Sequence, residues 1–395
     1  MIYIFILLLL LLLSINYDIY RKRRYRDQWY MIMLAIFILI AGIRFRVGVD
    51  TISYLYNFYY IFPKLQNINM ENITLFRYEP LWVLLNSVVK SLGGKFFIVQ
   101  IVQASIVNIL IFNYIRKHSS YPFLCILLYF MMDYHWYCMM VMRNAVAMAI
   151  CLWANDYVLE KKWKKAFGLY GIAGLFHYST LLLLLFIPIL KYLRLNKFGV
   201  LLLISTLLVG YITRSYLEEV ISIISFDAVS NKLDAYLESG AFDYERSINY
   251  FIGMVILPAF YVIISLCQVK KQNKNHSLLA LEPFVMVGLI FLILRLNIGM
   301  LHRFSRAYDI YFIMFYVQCF MNLAKTVYRY RVKPSYLHSL IIFSPLLFII
   351  SYFSGAFNGF TPYYTIIERK VDFKRECHYD DQRPWTKKMD IYNEY

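Results

Sequence analysis

Residues 96–115 read FFIVQIVQASIVNILIFNYI, and Arg116-Lys117-His118 follows directly. The run has no charged side chain, and about 20 helical residues at 1.5 Å each span roughly 30 Å, the depth of a bilayer's hydrocarbon core. Short basic loops stay cytoplasmic, so the three residues after Ile115 mark the inner end of a crossing that begins at Phe96.

Outward from this segment the pattern recurs. The 395-residue chain is 61% hydrophobic, with a mean hydropathy of +0.53, too apolar for a soluble domain. Arg21-Lys22-Arg23-Arg24 after the first apolar run predicts a cytoplasmic loop and an external N-terminus. Met1–Tyr17 lacks the basic start and small-residue cleavage site of a signal peptide. Trp29–Ile43 then leads out, making Arg44–Tyr78 an external loop. Glu79–Leu92 is too short to span and reads as re-entrant or interfacial. On that basis the basic loops at Lys161–Lys165, Lys191–Lys197, Lys270–Lys274 and Lys325–Lys333 all fall inside. The same scheme needs a hairpin between Lys165 and Lys191 turning near His177. Further spans are expected at Phe198–Thr213, Ile248–Gln268, Leu278–Leu296, Phe304–Leu323 and Tyr336–Phe353, with a surface segment over Arg214–Arg246. The expectation is an all-α polytopic membrane bundle of about 12 membrane segments plus the re-entrant or interfacial helix. It divides into a membrane domain over 1–354 and a polar, external tail over 355–395.

The net charge of +17 fits positive-inside loops and anionic headgroups. Its spread over short loops argues against nucleic-acid binding. The six cysteines form no C-x-x-C, so neither a disulfide framework nor a zinc site is expected.

Polar residues interrupt the apolar runs on what this topology makes the outer side: Arg44, Arg46 and Asp50; Glu79; Asp133, His135 and Arg143; His177; Arg303 and Arg306. A charge at hydrocarbon depth costs about 2.5–3.5 kcal/mol on insertion scales, so such residues line a cavity or an interface. Arginine's planar fork matches phosphate oxygens, and Gly48 would let a ligand approach the backbone. The alternative at Arg44–Asp50 is an ion pair capping a loop; at Arg143 it is a pair with Asp133 holding two helices together. His177 in Phe-His-Tyr-Ser suits removal of a proton from a sugar hydroxyl, against a packing histidine. There is no G-x-S-x-G, P-loop, dinucleotide fingerprint, H-E-x-x-H or D-x-D.

At these residues the chain resembles the EpsG family, Wzy-like membrane proteins of bacterial exopolysaccharide and capsule synthesis. Arg44-Phe-Arg46-Val-Gly48-Val-Asp50-Thr51 followed by Tyr54 is similar to the family's R-x-x-V-G-x-D-T-x-x-Y. Glu79-Pro80 matches its E-P, Met142-Arg143-Asn144 its M-R-Q with Asn for Gln, and Phe176-His177-Tyr178-Ser179 its F-H-x-S. Arg303, Arg306 and Tyr308 stand near its late R…Y pair. The resemblance implies a metal-independent, cofactor-free polymerase in the bacterial cytoplasmic membrane. It would transfer a growing glycan from undecaprenyl pyrophosphate to a new lipid-linked repeat unit, yielding exopolysaccharide, capsule or O-antigen. His177, Asp50 and Glu79 would be catalytic, and Arg44, Arg46, Arg143, Arg303 and Arg306 would hold pyrophosphate. Tyr54, Asn144, Ser179 and Tyr308 would touch substrate. Membrane lipids and the pathway's chain-length regulator and flippase are the implied partners.

Two rivals share the hydrophobicity. A lipid-linked oligosaccharide flippase should show two related halves and polar residues at mid-membrane. A membrane O-acyltransferase would use His177 but has no need of arginines across several outer loops.

Overall fold

The computed structural model describes residues 2–48, 50–68, 78–215, 276–295, 301–329 and 360–370, with isolated positions 259, 262, 263 and 267. The surface segment from 216 to 246, the span Ile248–Gln268 apart from those positions, the loop Lys270–Lys274 and the span Tyr336–Phe353 lie outside the described residues. So does the tail beyond 370.

Among the described residues the structure is all-helical, with one isolated antiparallel bridge between Arg44 and Thr365. Helix α1 (Ile2–Ser14) runs on through a π-helical turn at Ile15–Ile19. Left-handed Arg21 and Tyr25 then break the chain before α2 (Arg26–Gly42). A short α3 (Thr51–Tyr56) is followed by α4 (Pro80–Ser91), whose proline sits in the first turn, where no N–H is needed. The opening run becomes α5 (Phe96–His118), with Arg116, Lys117 and His118 in its last turn. Two helical runs, Ile2–Ile19 and Phe96–His118, are both long and apolar enough to cross a membrane.

Helix α6 (Pro122–Tyr129) widens into π-helical turns at Phe130–Tyr134 and Trp136–Met140. The break that sequence expected near Asp133–Arg143, without Gly or Pro, falls at Val141. There α7 (Met142–Leu159) begins. Helix α8 (Trp163–Phe176) ends at His177, whose backbone is extended (φ −159°, ψ 107°), before a 3-10 segment over Tyr178–Tyr192. Leu181 lies against Gly174 across this break.

The chain forms two compact units, Met1–Leu185 with Lys333–Tyr395, and Phe186–Val332. In the first, α5 packs on α2, α4 and α7, and α8 packs on α7 and α4. Helices α5 and α7 run parallel: Gln103 Nε2 approaches the Met142 carbonyl (3.5 Å), Trp153 Nε1 donates to the Leu110 carbonyl (3.2 Å), and Tyr114 Oη donates to Asp156 (3.0 Å). Phe37 of α2 is buried among Phe112, Tyr129, Phe130 and Tyr134, aromatic packing that fixes α2 against α5 and α6 with its π-helical extension.

The second unit holds α9 (Lys197–Ser215), α10 (His276–Leu279), α11 (Glu282–Leu294), α12 (His302–Arg306) and α13 (Asp309–Arg329). The expected spans Leu278–Leu296 and Phe304–Leu323 are each interrupted, at Ala280-Leu281 and at Ala307-Tyr308.

Candidate active site around Glu79, Arg143 and His177

Three helix ends meet in the first unit. Glu79 caps the start of α4, Arg143 stands in the first turn of α7, and His177 ends α8. Helix termini leave backbone groups without intrahelical partners, so breaks of this kind are where polar side chains collect. The Glu79 carboxylate is buried and divides its oxygens: Oε2 accepts from Arg143 Nη1, and Oε1 lies 2.8 Å from His177 Nδ1. Burial pushes the Glu79 carboxyl up, but the His177 hydrogen bond and the Arg143 charge outweigh it and hold its pKa down at about 2. Glu79 is therefore an ionised acceptor at neutral pH.

That fixes the imidazole. A carboxylate on Nδ1 favours the tautomer with the proton there, leaving the Nε2 lone pair outward. The His177 side chain is 16% exposed, and Nε2 is the ring nitrogen that Glu79 leaves unengaged. The Arg143 guanidinium stacks over the Tyr78 ring, 4.5 Å from its centroid, within electrostatic reach of the Tyr54 phenol. Its Nε is buried and bonds no described residue, while the side chain as a whole is 19% exposed.

Around this core, Asp50 sits one turn ahead of Tyr54, its carbonyl accepting the Tyr54 N–H at 3.1 Å. Asn144 is buried beside Arg143, with Oδ1 bonded to no described residue. Ser179 is the second residue of the 3-10 segment and is partly exposed. The structure thus gathers Glu79, Arg143, His177 and Tyr54, with Asp50, Asn144 and Ser179 next to them along the chain. The buried partner of Arg143 is Glu79, where the sequence alternative was Asp133.

Arg44 and Arg46 are disposed differently. Arg44 is wholly buried; it donates to the carbonyls of Ala41 and Val47 (the latter at 3.2 Å) and reaches Met142 Sδ at 3.3 Å. It caps the open carbonyls after α2 and braces the start of α7. Arg46 is buried in a left-handed conformation (φ 51°). The close backbone approach expected at Gly48 is made by the protein itself. At φ +98°, a Cβ there would stand 2.1 Å from the Met139 carbonyl oxygen. Arg303 and Arg306 lie on α12 in the second unit, and Tyr308 just beyond it is buried, stacking on Phe291 at 6.1 Å.

Sequence reading missed Tyr78 and Asn57. Asn57 Nδ2 donates to Tyr78 Oη at 2.5 Å, holding the ring under Arg143. One aromatic among 37 tyrosines carries no signal of that role.

A family model described as the EpsG family matches residues 28–365, nearly the whole chain. No curated protein and no solved structure matches it.

Proposed function

The chain belongs to the EpsG family, and on that premise we propose that it joins lipid-linked oligosaccharide repeat units at the outer face of the bacterial cytoplasmic membrane. Membership implies a polysaccharide-polymerase role in exopolysaccharide biosynthesis. The donor in this reading is a glycan on undecaprenyl pyrophosphate, and the acceptor a new repeat unit on the same lipid. The observation that carries it is the shared carboxylate: Glu79 bonds His177 Nδ1 and Arg143 through opposite oxygens.

In the reaction the acceptor's hydroxyl oxygen attacks the donor's anomeric carbon. The bond from that carbon to the pyrophosphate oxygen breaks, and its electron pair leaves with the pyrophosphate. His177 Nε2 takes the hydroxyl proton, and Glu79 stabilises the imidazolium that results. Arg143 donates to the departing pyrophosphate, neutralising charge as it develops. Asp50, Asn144, Ser179 and Tyr54 border the reacting groups. The family resemblance assigns pyrophosphate and sugar contacts to Arg303, Arg306 and Tyr308 of the second unit, whereas Arg44 and Arg46 support their loop from within the first. The reading needs no metal or cofactor. It retains about 12 membrane segments and an external tail, with a flippase and a chain-length regulator as partners in the pathway.

The test is the purified protein with a lipid-pyrophosphate oligosaccharide in EDTA. The glycan should lengthen in whole repeat units without nucleotide sugar. A strict requirement for a divalent cation, a nucleotide sugar or an acyl thioester would overturn the mechanism.

A further inference from the structure

At the end of α4 remote from Glu79 the first unit holds a cavity of about 360 Å³. One wall is the turn between α4 and α5, where Gly93 takes a left-handed conformation (φ +73°) ahead of Gly94 and Lys95. Phe97 and Ile98, in the first turn of α5, form its apolar side. The opposite wall is the C-terminal segment, which contributes Ile366 and Arg369. Main-chain pairing fixes that segment in place: Phe45 N–H donates to the Tyr364 carbonyl (2.8 Å) and Ile366 N–H to the Ile43 carbonyl (2.9 Å). Arg369 is held over the opening, its Nε donating to the Ile366 carbonyl at 3.2 Å.

Among the described residues the lining has two cations from segments far apart in sequence, three apolar side chains, and no acidic or amide side chain. A free sugar would find no carboxylate or amide to read its hydroxyls. A free inorganic anion would gain nothing from Phe97, Ile98 and Ile366. The chemistry that uses both halves is a phosphate carried on a hydrocarbon chain.

We propose that this cavity seats the phosphate of the acceptor lipid. The inference rests on the polymerase reading above, which requires two lipid phosphates at once. One leaves from the donor at Arg143. The other stays attached to the acceptor, a repeat unit away from the attacking hydroxyl. The 12 residues of α4 separate the cavity from Glu79 by about 18 Å at 1.5 Å each. The acceptor glycan then lies along α4, with its non-reducing end at His177. The separation makes α4 the gauge of repeat-unit length.

The experiment uses the full-length protein and a Lys95→Ala/Arg369→Ala double variant. With the lipid-linked repeat unit as substrate, KM should rise about tenfold, as expected for two lost charge-assisted contacts, while kcat falls less than about twofold. Lys95→Arg should stay close to wild type. Native mass spectrometry with dodecyl phosphate should show one fewer bound molecule in the double variant, and excess inorganic phosphate should not displace it. Wild-type KM and binding in the double variant would overturn the proposal. So would displacement by inorganic phosphate, or a KM effect confined to phosphatidylglycerol bilayers and absent in phosphatidylcholine, which would make the occupant a bulk headgroup. If no polymerisation occurs with any variant, the polymerase reading fails, and the dodecyl phosphate measurement still reports on the cavity.

Discussion

At the C-terminal ends of α5 and α7, Asp156 accepts hydrogen bonds from Tyr114 Oη (3.0 Å), Lys117 Nζ (2.7 Å) and His118 Nε2 (2.8 Å). At the other end of α7, Glu79 is shared by Arg143 and His177. Both sites combine a carboxylate, a histidine and a cation, yet their geometry differs where chemistry is decided. Asp156, on α7, has three donors that all come from α5, and the second nitrogen of His118, Nδ1, is buried without a partner among the described residues. Glu79 is assembled from three chain breaks, and the imidazole bonds it through Nδ1, so Nε2 faces outward. One arrangement ties two helices together; the other, on the proposed mechanism, presents a base. The orientation of the imidazole, more than the identity of the residues, separates a lock from a reactive site.

The largest effect should come from exchanging the two histidines' fates. His177→Ala removes the outward nitrogen, and turnover should fall by about 10²–10⁴, the usual yield of a general base. His118→Ala should leave turnover per folded molecule within about threefold, since no proton of the reaction passes there. Turnover assays at matched folded protein decide between them, and equal losses in both variants would erase the distinction.

The carboxylates come next. Glu79→Gln leaves the Arg143 charge buried without its counter-ion, a change that costs about 3–5 kcal/mol when a buried pair loses one partner. Asp156→Asn should destabilise less, because Lys117 is 43% exposed and water compensates it. Acid separates them further. The folded-state pKa of Glu79, about 2, lies below its ordinary 4.5, so the ionised form adds stability that is fully present above pH 4.5 and lost as pH falls toward 2. Thermal unfolding between pH 5 and 3 should therefore lose a component in wild type that Glu79→Gln lacks; parallel curves would remove Glu79 from the account.

Much of this was legible because the bilayer penalises polar residues so strongly. The run over 96–118 declared its length and its basic C-terminal end, and Glu79, Arg143 and His177 stood out as interruptions of apolar sequence. Pairing was not legible. Arg143 could equally face Asp133, nearby in sequence, or Glu79, 64 residues away, and only packing chooses. Arg44 has the same local appearance as Arg143, yet it turns onto Ala41 and Val47 because α2 ends there with open carbonyls. The clasp between Phe45 and Tyr364 had no periodicity or motif to announce it, being main-chain pairing between segments some three hundred residues apart.

The smallest expected effect probes how each cation is held. Arg143 lies 4.5 Å from the Tyr78 centroid, and Lys117 lies 5.4 Å from that of Trp153. A cation over an aromatic face gains about 0.5–2 kcal/mol depending on desolvation. At the Glu79 end that energy orients the guanidinium for an anion; at the Asp156 end it only strengthens the tie. Tyr78→Leu should lower kcat/KM by about fivefold, equivalent to roughly 1 kcal/mol of lost transition-state contact. Tyr78→Phe keeps the face and loses only the bond from Asn57 Nδ2, so it should stay within about twofold. Trp153→Leu should reduce thermal stability while leaving kcat/KM per folded molecule unchanged. Were Tyr78→Phe as damaging as Tyr78→Leu, the hydroxyl rather than the face would be what positions Arg143. Were Trp153→Leu to slow turnover to the same degree, the two ends of α7 would have to be treated as a single coupled network.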